Sequence, residues 1–315
     1  MDMHAIKDLL KQYTVSNVTK AIHRTPYPAI LPTRPELSQA GRTVLVTGGG
    51  TGVGFGVARN FVQASADTVI IVGRRAAVLD TAASSLEQIA KAAGTSTKII
   101  TKTCDITNIA QIEALWKDLS AQKITVDVFV SNAVKFTEPK PLLELGADEV
   151  WSQMEANVKA PIYFAQQFCT QPGGGQKFII NITSAVIHTN ADPVIQQRPA
   201  YSLTKGAGTL YFYLLANEVP ADKVQIVSFH PGLIYNEMWG EGGFDEHDDL
   251  FDSADIPGGV AVWGASKEAA FLHGRFFWAT WDVNELSTGE LRKRCETDPY
   301  FLTPSVIGLK GRSLA

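Results

Sequence analysis

Between Arg42 and Phe229 the chain repeats one pattern: a short apolar run, a glycine or polar break, then a longer stretch with helical spacing. The runs are Thr43–Val46, Val69–Val72, Lys98–Ile100, Val126–Val130, Phe178–Ile182 and Val224–Phe229, with alanine-rich amphipathic segments such as Leu79–Ala92 between them. Runs apolar throughout suit strands covered on both faces. Helical crossovers make such strands parallel. The expected fold class is therefore α/β, a doubly wound parallel sheet in three α/β/α layers. In that architecture ligands bind beyond the carboxyl ends of the strands.

At 315 residues and 45% apolar content the chain can fill one large core. Residues 1–24 read as weakly helical and amphipathic. Pro26, Pro28, Pro32 and Pro35 then forbid regular helix and suggest an extended arm. The expected division is an N-terminal helical and Pro-rich extension over 1–40, a nucleotide-binding domain over 41–290 with a lid at 235–259, and a C-terminal tail over 291–315.

Lys and Arg number 28 against 32 Asp and Glu, so no overall basic field invites nucleic acid. No membrane-length apolar segment and no secretory leader is visible. Cys104, Cys169 and Cys295 are odd in number and widely spaced, which fits reduced thiols. These features point to a soluble cytoplasmic protein without nucleic-acid or membrane partners.

After the first run comes Thr47-Gly-Gly-Gly-Thr-Gly-Val-Gly54, followed by a helical segment with Val57 and Phe61 one turn apart. Without a Cβ, Gly48, Gly52 and Gly54 let a diphosphate approach main-chain N–H groups at a helix start, where the macrodipole favours negative charge. Taken alone, the turn also fits a purely structural loop. No Walker lysine follows, so a P-loop NTPase is not supported. About twenty residues further on, a dinucleotide fold places the group that reads the adenosine ribose, acidic for NAD and arginine for NADP. Here Gly73-Arg74-Arg75 stands there, and Asp67 lies at the wrong end of the second strand. Forked guanidiniums suit a ribose phosphate, so NADP(H) is expected, with NAD(H) as the alternative if the arginines only solvate a helix start.

Tyr201 and Lys205 are four residues apart and share one face of a helix. A free phenol has a pKa near 10, and a neighbouring cation is expected to lower it into a useful range. The run Phe178–Ile182 leads into Thr183-Ser184, putting a hydroxyl at the carboxyl end of a central strand. It can hydrogen-bond an oxygen on which charge develops, or simply cap the next helix.

With these motifs in order, the chain resembles the short-chain dehydrogenase/reductase family from about Ala40 to Val283, whose Rossmann-type domain agrees with the pattern above. The family's TGxxxGxG turn matches Thr47 to Gly54, so Thr47, Gly48, Gly50, Thr51, Gly52, Val53 and Gly54 are implied to bind cofactor. Its adenine-contacting aspartate matches Asp105, next to Ile106, and its Asn-Ala-Gly motif matches Asn132, Ala133 and Val134, with valine in place of glycine. His230-Pro231-Gly232 matches the Pro-Gly motif, followed by Ile234 and by Asn236 where threonine is usual.

The resemblance makes Asn157, Ser184, Tyr201 and Lys205 the catalytic set. Tyr201 would be the general acid in reduction and Ser184 would orient the carbonyl. Lys205 would bind the nicotinamide ribose and depress the Tyr201 pKa, while Asn157 would hold a water linking Lys205 to solvent. Ile187 to Arg198 makes the loop before Tyr201 longer than usual, which either shapes a special substrate or displaces Ser184.

For substrate, Val186, His188, Tyr235, Met238 and Trp239 are candidates. Phe244 and Phe251 join Met238 and Trp239 as aromatic or apolar residues that either meet a ring system or pack on the core, and His188 either touches substrate or faces solvent. Asp245 to Asp249 reads as a solvated acidic turn, so no metal is assigned. The C-terminal part and the Pro-rich arm resemble fungal members linked to secondary metabolism, which implies a hydrophobic, polycyclic small-molecule ketone or alcohol. Apolar residues on several faces of Asn157–Gln167 and Tyr201–Asn217 fit a homodimer or homotetramer. The expected activity is an NADP-dependent ketoreductase or alcohol dehydrogenase. An isomerase, dehydratase or cyclase without net redox, and a non-catalytic nucleotide-binding scaffold, are the alternatives.

Overall fold

Nearly continuous burial along most apolar runs, with side chains alternating between two cores, builds the sheet. In a computed structural model, which describes residues 7, 10–11, 18–173, 175–189, 192–193 and 195–305 and only the backbone of 195, 237 and 238, the runs form seven strands. They are β1 (Thr43–Thr47), β2 (Thr68–Gly73), β3 (Lys98–Thr103), β4 (Val128–Ser131), β5 (Lys177–Ile182), β6 (Val224–His230) and β7 (Phe276–Trp278). The order is β3-β2-β1-β4-β5-β6-β7 and every pairing is parallel. Six strands were expected; β7, too short to show a period, was not.

Successive side chains on a strand point to opposite faces. Val44, Val46, Val69, Ile71, Val128, Val130, Phe178 and Ile180 enter one core, while Leu45, Ile70, Val72, Phe129 and Ile179 enter the other. The first core is closed by α1 (Gly52–Gln63), α2 (Ala76–Ala93) and, later in the chain, Asp255–Gly264. The second is closed by α3 (Ile109–Ala121), α5 (Ala160–Thr170) and α6 (Pro199–Glu218), and α4 (Ala147–Met154) leads into α5 through a π-helical turn at Glu155–Lys159. Val57 and Phe61, predicted one turn apart, are fully buried, each contributing about 1.5–3 kcal/mol by leaving water. The edge strand β3 is half exposed, so it lacks the coverage on both faces expected for it, whereas the other edge strand, β7, is buried.

The Pro-rich arm is packed rather than free. Short 3-10 turns at Pro28–Ile30 and Pro35–Leu37 bury Ile30 and Leu37 in the first core. Ile22 bridges Trp281, His23 pairs with Asp282 at 2.6 Å, and the Tyr27 hydroxyl donates to the Trp281 carbonyl at 3.1 Å. Beyond α7 (Asp255–Gly264), the segment after 290 carries the rest of α8 (Gly289–Thr297), which buries Cys295. No helix among the described residues is long and apolar enough to cross a membrane.

Candidate active site

Apart from Thr47, the last residue of β1, and Tyr201 and Lys205 on α6, the nucleotide-site candidates follow the carboxyl ends of strands. Residues 48–54 follow β1, 74–75 follow β2, 105–106 follow β3, 132–134 follow β4, and 231–236 follow β6. The crevice lies between β1 and β4, where the chain reverses its direction of winding and a ligand can enter.

The Thr47 hydroxyl receives the Asn132 and Ala133 amides at 3.0 and 3.1 Å, and the Asn132 side chain donates to the Thr47 carbonyl at 2.8 Å. These bonds lock the turn after β1 to the end of β4. Gly48 and Gly52 have φ of +66° and +53°, where a side chain is strained. A Cβ on Gly54 would lie 2.2 Å from the Gly48 carbonyl oxygen, whereas one on Gly52 would meet nothing within 4 Å. Gly54 is thus required by the turn's own packing, and the open face belongs to Thr51, Gly52 and the start of α1. Gly50 and Val53 are half-buried beside them.

Arg74 and Arg75 are exposed at the start of α2. Among the described residues neither forms an ion pair, although Arg74 acts at longer range on Asp105. The Asp105 carboxylate sits below its ordinary range chiefly because it accepts the Thr107 amide at 2.9 Å. Ile106 is half-buried against the second core. An exposed helix start with an open glycine and two uncommitted guanidiniums fits a dinucleotide carrying an extra phosphate.

Beside this crevice lies a cavity of about 500 Å³, lined mainly by apolar groups. Ser184, Tyr201 and Lys205 share its wall with Val53, Asn132, Val134, Val186, Pro231, Gly232, Ile234, Asn236 and Trp239. Ser184 caps the turn Ala185–Ile187 and is close enough to hydrogen-bond the Tyr201 phenol. The long loop before Tyr201 therefore leaves Ser184 in place. A Cβ on Gly232, φ +92°, would lie 2.7 Å from an Asp252 carboxylate oxygen, so glycine is required there too.

The electrostatics differ from the expectation for Lys205. Its ammonium donates to the Ile182 carbonyl at 2.9 Å and lies 5.9 Å from the Tyr201 ring centre. Burial lowers Lys205 to about 8. Tyr201 is raised above an ordinary phenol, first by burial; the Ser184 hydroxyl and the Arg198 charge act in the opposite direction. Sharing a helix face did not make the lysine the cation that the phenol feels, because the ammonium turns to a backbone oxygen. The nearby charge is Arg198.

Asn157, in the π-helical turn, is fully engaged. Its Oδ1 accepts the Lys135 amide at 2.7 Å, and its Nδ2 donates to the Lys135 carbonyl at 2.6 Å and to the Thr204 hydroxyl at 3.0 Å. A separate cavity of about 10 Å³ is lined by Asn157, Ala133, Thr204 and Lys205, room for about one water.

A match to the family model for short chain dehydrogenases runs over residues 42–246. The chain belongs to the short chain dehydrogenase family. It is 31% identical to the short chain dehydrogenase/reductase AacuD of Aspergillus aculeatus, over 85% of this chain and 89% of that one. It is 32% identical to the short chain dehydrogenase/reductase nsrO of Aspergillus novofumigatus, over 92% of this chain and 96% of that one. In fold it is similar to RhlG of Pseudomonas aeruginosa, solved with NADP, with a TM-score of 0.68 at 21% identity, covering 78% of this chain and 97% of that one.

Within this short chain dehydrogenase, some substrate candidates stand away from the cavity. Tyr235 packs its ring edge on Phe251, 5.2 Å between centroids, and places its hydroxyl against Gly240. His188 is exposed, its ring beside Phe276, and its Nε2 accepts the Trp278 indole N–H at 3.2 Å. The Met238 side chain lies outside the described residues. Phe244 lines the cavity with Trp239, while Phe251 packs behind them.

Other wall residues were not among the candidates expected from the sequence: Leu10, Ile22, Phe136, Trp278 and Thr280; Arg198 is the last residue of the long loop expected either to shape the substrate site or to displace Ser184. Leu10, 4% exposed, packs with Phe244 and Leu250, and Lys7 pairs with Asp248 at 2.7 Å. The acidic turn expected to be solvated thus receives the N-terminal lysine. Arg24 adds a 2.9 Å bond to Asp252 and a second to the Asp249 carbonyl. The described N-terminal residues are stitched to the segment from Phe244 to Asp252, and Leu10 and Ile22 supply part of the cavity wall.

Proposed function

We propose that the protein is an NADP(H)-dependent ketoreductase or alcohol dehydrogenase whose substrate is a hydrophobic, polycyclic secondary metabolite bearing a ketone or a secondary hydroxyl. The observation that carries this reading is the meeting of Ser184, Tyr201 and Lys205 on one wall of an apolar cavity that opens beside the glycine turn. Cavities of this size and lining suit drug-sized apolar ligands.

Thr51, Gly52, Val53 and the start of α1 would hold the diphosphate, with Arg74 and Arg75 at the ribose phosphate, Asp105 and Ile106 at the adenine, and Asn132, Val134, Ile234 and Asn236 flanking the nicotinamide. When bound, the cofactor supplies or accepts the hydride. Tyr201 gives a proton to the substrate oxygen in reduction, and a phenol with a raised pKa stays protonated for that task at neutral pH. Ser184 donates to the same oxygen as charge develops on it. The small cavity between Asn157 and Lys205 holds one water, through which Lys205 exchanges protons with solvent. NADP in the RhlG complex supports the cofactor choice.

Oxidation of NADPH, followed by absorbance with a panel of ring ketones such as 2-tetralone, tests the reading. Turnover in the wild type, lost at least 1,000-fold in Tyr201→Phe with NADPH affinity kept, is the expected result, on the order of 4 kcal/mol of transition-state stabilisation. Turnover retained in Tyr201→Phe overturns it.

A homodimer or homotetramer is part of the same proposal. Trp151, 65% exposed on α4, and Leu203, Leu210 and Leu214 on α6 leave apolar surface uncovered. Light scattering after gel filtration reads the assembly directly.

A further inference from the structure

The charged groups on the cavity wall are unequally provided for. Lys205 is held by the Ile182 carbonyl, and Asp252 receives both Arg24 Nε at 2.9 Å and the Leu233 amide at 2.8 Å. His230 is neutral, lowered to about 3 by burial. Arg198 stands differently. One of its N–H groups donates to the Thr137 carbonyl and its guanidinium lies 5.5 Å from the Phe136 ring centre, yet among the described residues no carboxylate is within ion-pair distance. The acid it feels at longer range, Glu138, is exposed. A half-buried cation normally has a partner, because removing it from water is costly.

We propose that Arg198 binds a carboxylate carried by the substrate, so that the ketone or alcohol handled here belongs to a hydrophobic acid. This rests on the reading of the large cavity as the substrate site. A planar guanidinium has donors left over after the Thr137 bond, and its fork matches the two oxygens of a carboxylate. The rest of the wall is apolar, so an ion pair within it is less screened than one in water. Phe136 fixes the spacing: its ring meets the Tyr201 edge at 5.8 Å between centroids and lies under the Arg198 guanidinium. The acid group would therefore sit close to the reacting carbonyl, on the same ring system or a short arm from it. Burial lowers the Arg198 pKa, the direction taken by a cation whose partner is missing.

Isothermal titration of the full-length protein with naphthalene-2-carboxylate and with its neutral isostere, naphthalene-2-carboxamide, tests the assignment without needing turnover. The wild type is expected to bind the carboxylate at least 10-fold more tightly, and Arg198→Gln to bind the two alike. Arg198→Met, closer in length, repeats the comparison if the glutamine variant folds poorly by circular dichroism. Equal binding by the wild type, or a preference that survives in a folded variant, overturns the assignment. NADPH oxidation with 4-(2-naphthyl)-4-oxobutanoate and its methyl ester separates the two proposals. A lower KM for the acid, lost in Arg198→Gln, supports the carboxylate site. Binding preference with no oxidation of NADPH by any ketone defeats the redox reading and leaves the carboxylate site standing.

Discussion

Lys205 donates a hydrogen bond to the Ile182 carbonyl at 2.9 Å, so the ammonium is fixed by the end of a strand rather than by the phenol one turn away. Burial lowers its pKa from 10.5 to about 8. A lysine lowered in the folded state loses its proton there first. Between pH 8 and 10.5 the unfolded chain then binds more protons, so stability rises with pH across that window and falls as pH drops back through it. Chemical denaturation in that range should show a gain on the order of 1–3 kcal/mol for the wild type, each pKa unit being worth about 1.4 kcal/mol. Lys205→Met should remove the slope and the turnover together. An unchanged slope would show that the ammonium is better solvated than its surroundings indicate.

Gly54 and Gly52, two of the five glycines of the turn, answer to different constraints and should fail differently. Gly54→Ala puts a methyl group 2.2 Å from the Gly48 carbonyl oxygen and 2.5 Å from Asn132 Nδ2, so the turn must open. A loss of several kcal/mol and at least a 100-fold rise in the NADPH dissociation constant are expected, comparable with overpacking a core plus strain. Gly52→Ala meets no atom within 4 Å and bears only the cost of φ +53°, about 1 kcal/mol. Melting temperatures and fluorescence titration with NADPH would separate the two; equal losses would sink the packing argument.

Arg74 and Arg75 give the cofactor prediction its simplest test. Both are exposed and neither is paired among the described residues, so charge reversal disturbs little else. Arg74→Glu with Arg75→Glu should raise KM for NADPH 10- to 100-fold and leave KM for NADH within about threefold, because only one cofactor carries the ribose phosphate. The NADPH effect should shrink as salt is raised. Loss of both affinities in parallel would assign the arginines to the turn rather than to the phosphate.

The sheet was legible because its signal is local. Val44, Leu45 and Val46 alternate between two cores, and the run between breaks shows this without knowledge of any partner. The glycine turn, Asp105, Asn132, Ser184 and Pro231-Gly232 were likewise legible, since each lies just beyond a strand, whereas Asn157, Tyr201 and Lys205 stand on helices and were read from their spacing and order. What was missed depends on long-range convergence. Leu10 meets Phe244 and Leu250, Ile22 meets Trp281, and Arg198 meets Phe136, with nothing in the sequence near either member to announce the other. Lys205 shares the cavity with Tyr201 as expected, but its electrostatic effect differs for a related reason: spacing tells which helix face a side chain leaves from, and the carbonyl it finds belongs to another element.

The N-terminal contact yields the last prediction. Leu10 is buried against Phe244 and Leu250 and lines the cavity, while Lys7 holds Asp248 at 2.7 Å. If this cavity holds the substrate as proposed, Leu10 and the segment that Lys7 anchors act on the substrate rather than on the nucleotide. Leu10→Ala deletes part of an apolar wall, worth about 2 kcal/mol or more if the site does not collapse, and Lys7→Ala releases an anchor whose own contribution is under about 1 kcal/mol. The double variant should raise KM for a ring ketone about 10-fold or more while the NADPH dissociation constant stays within twofold. If KM for the ketone is unmoved and the protein melts normally, the segment is a passenger, and the cavity is closed without it.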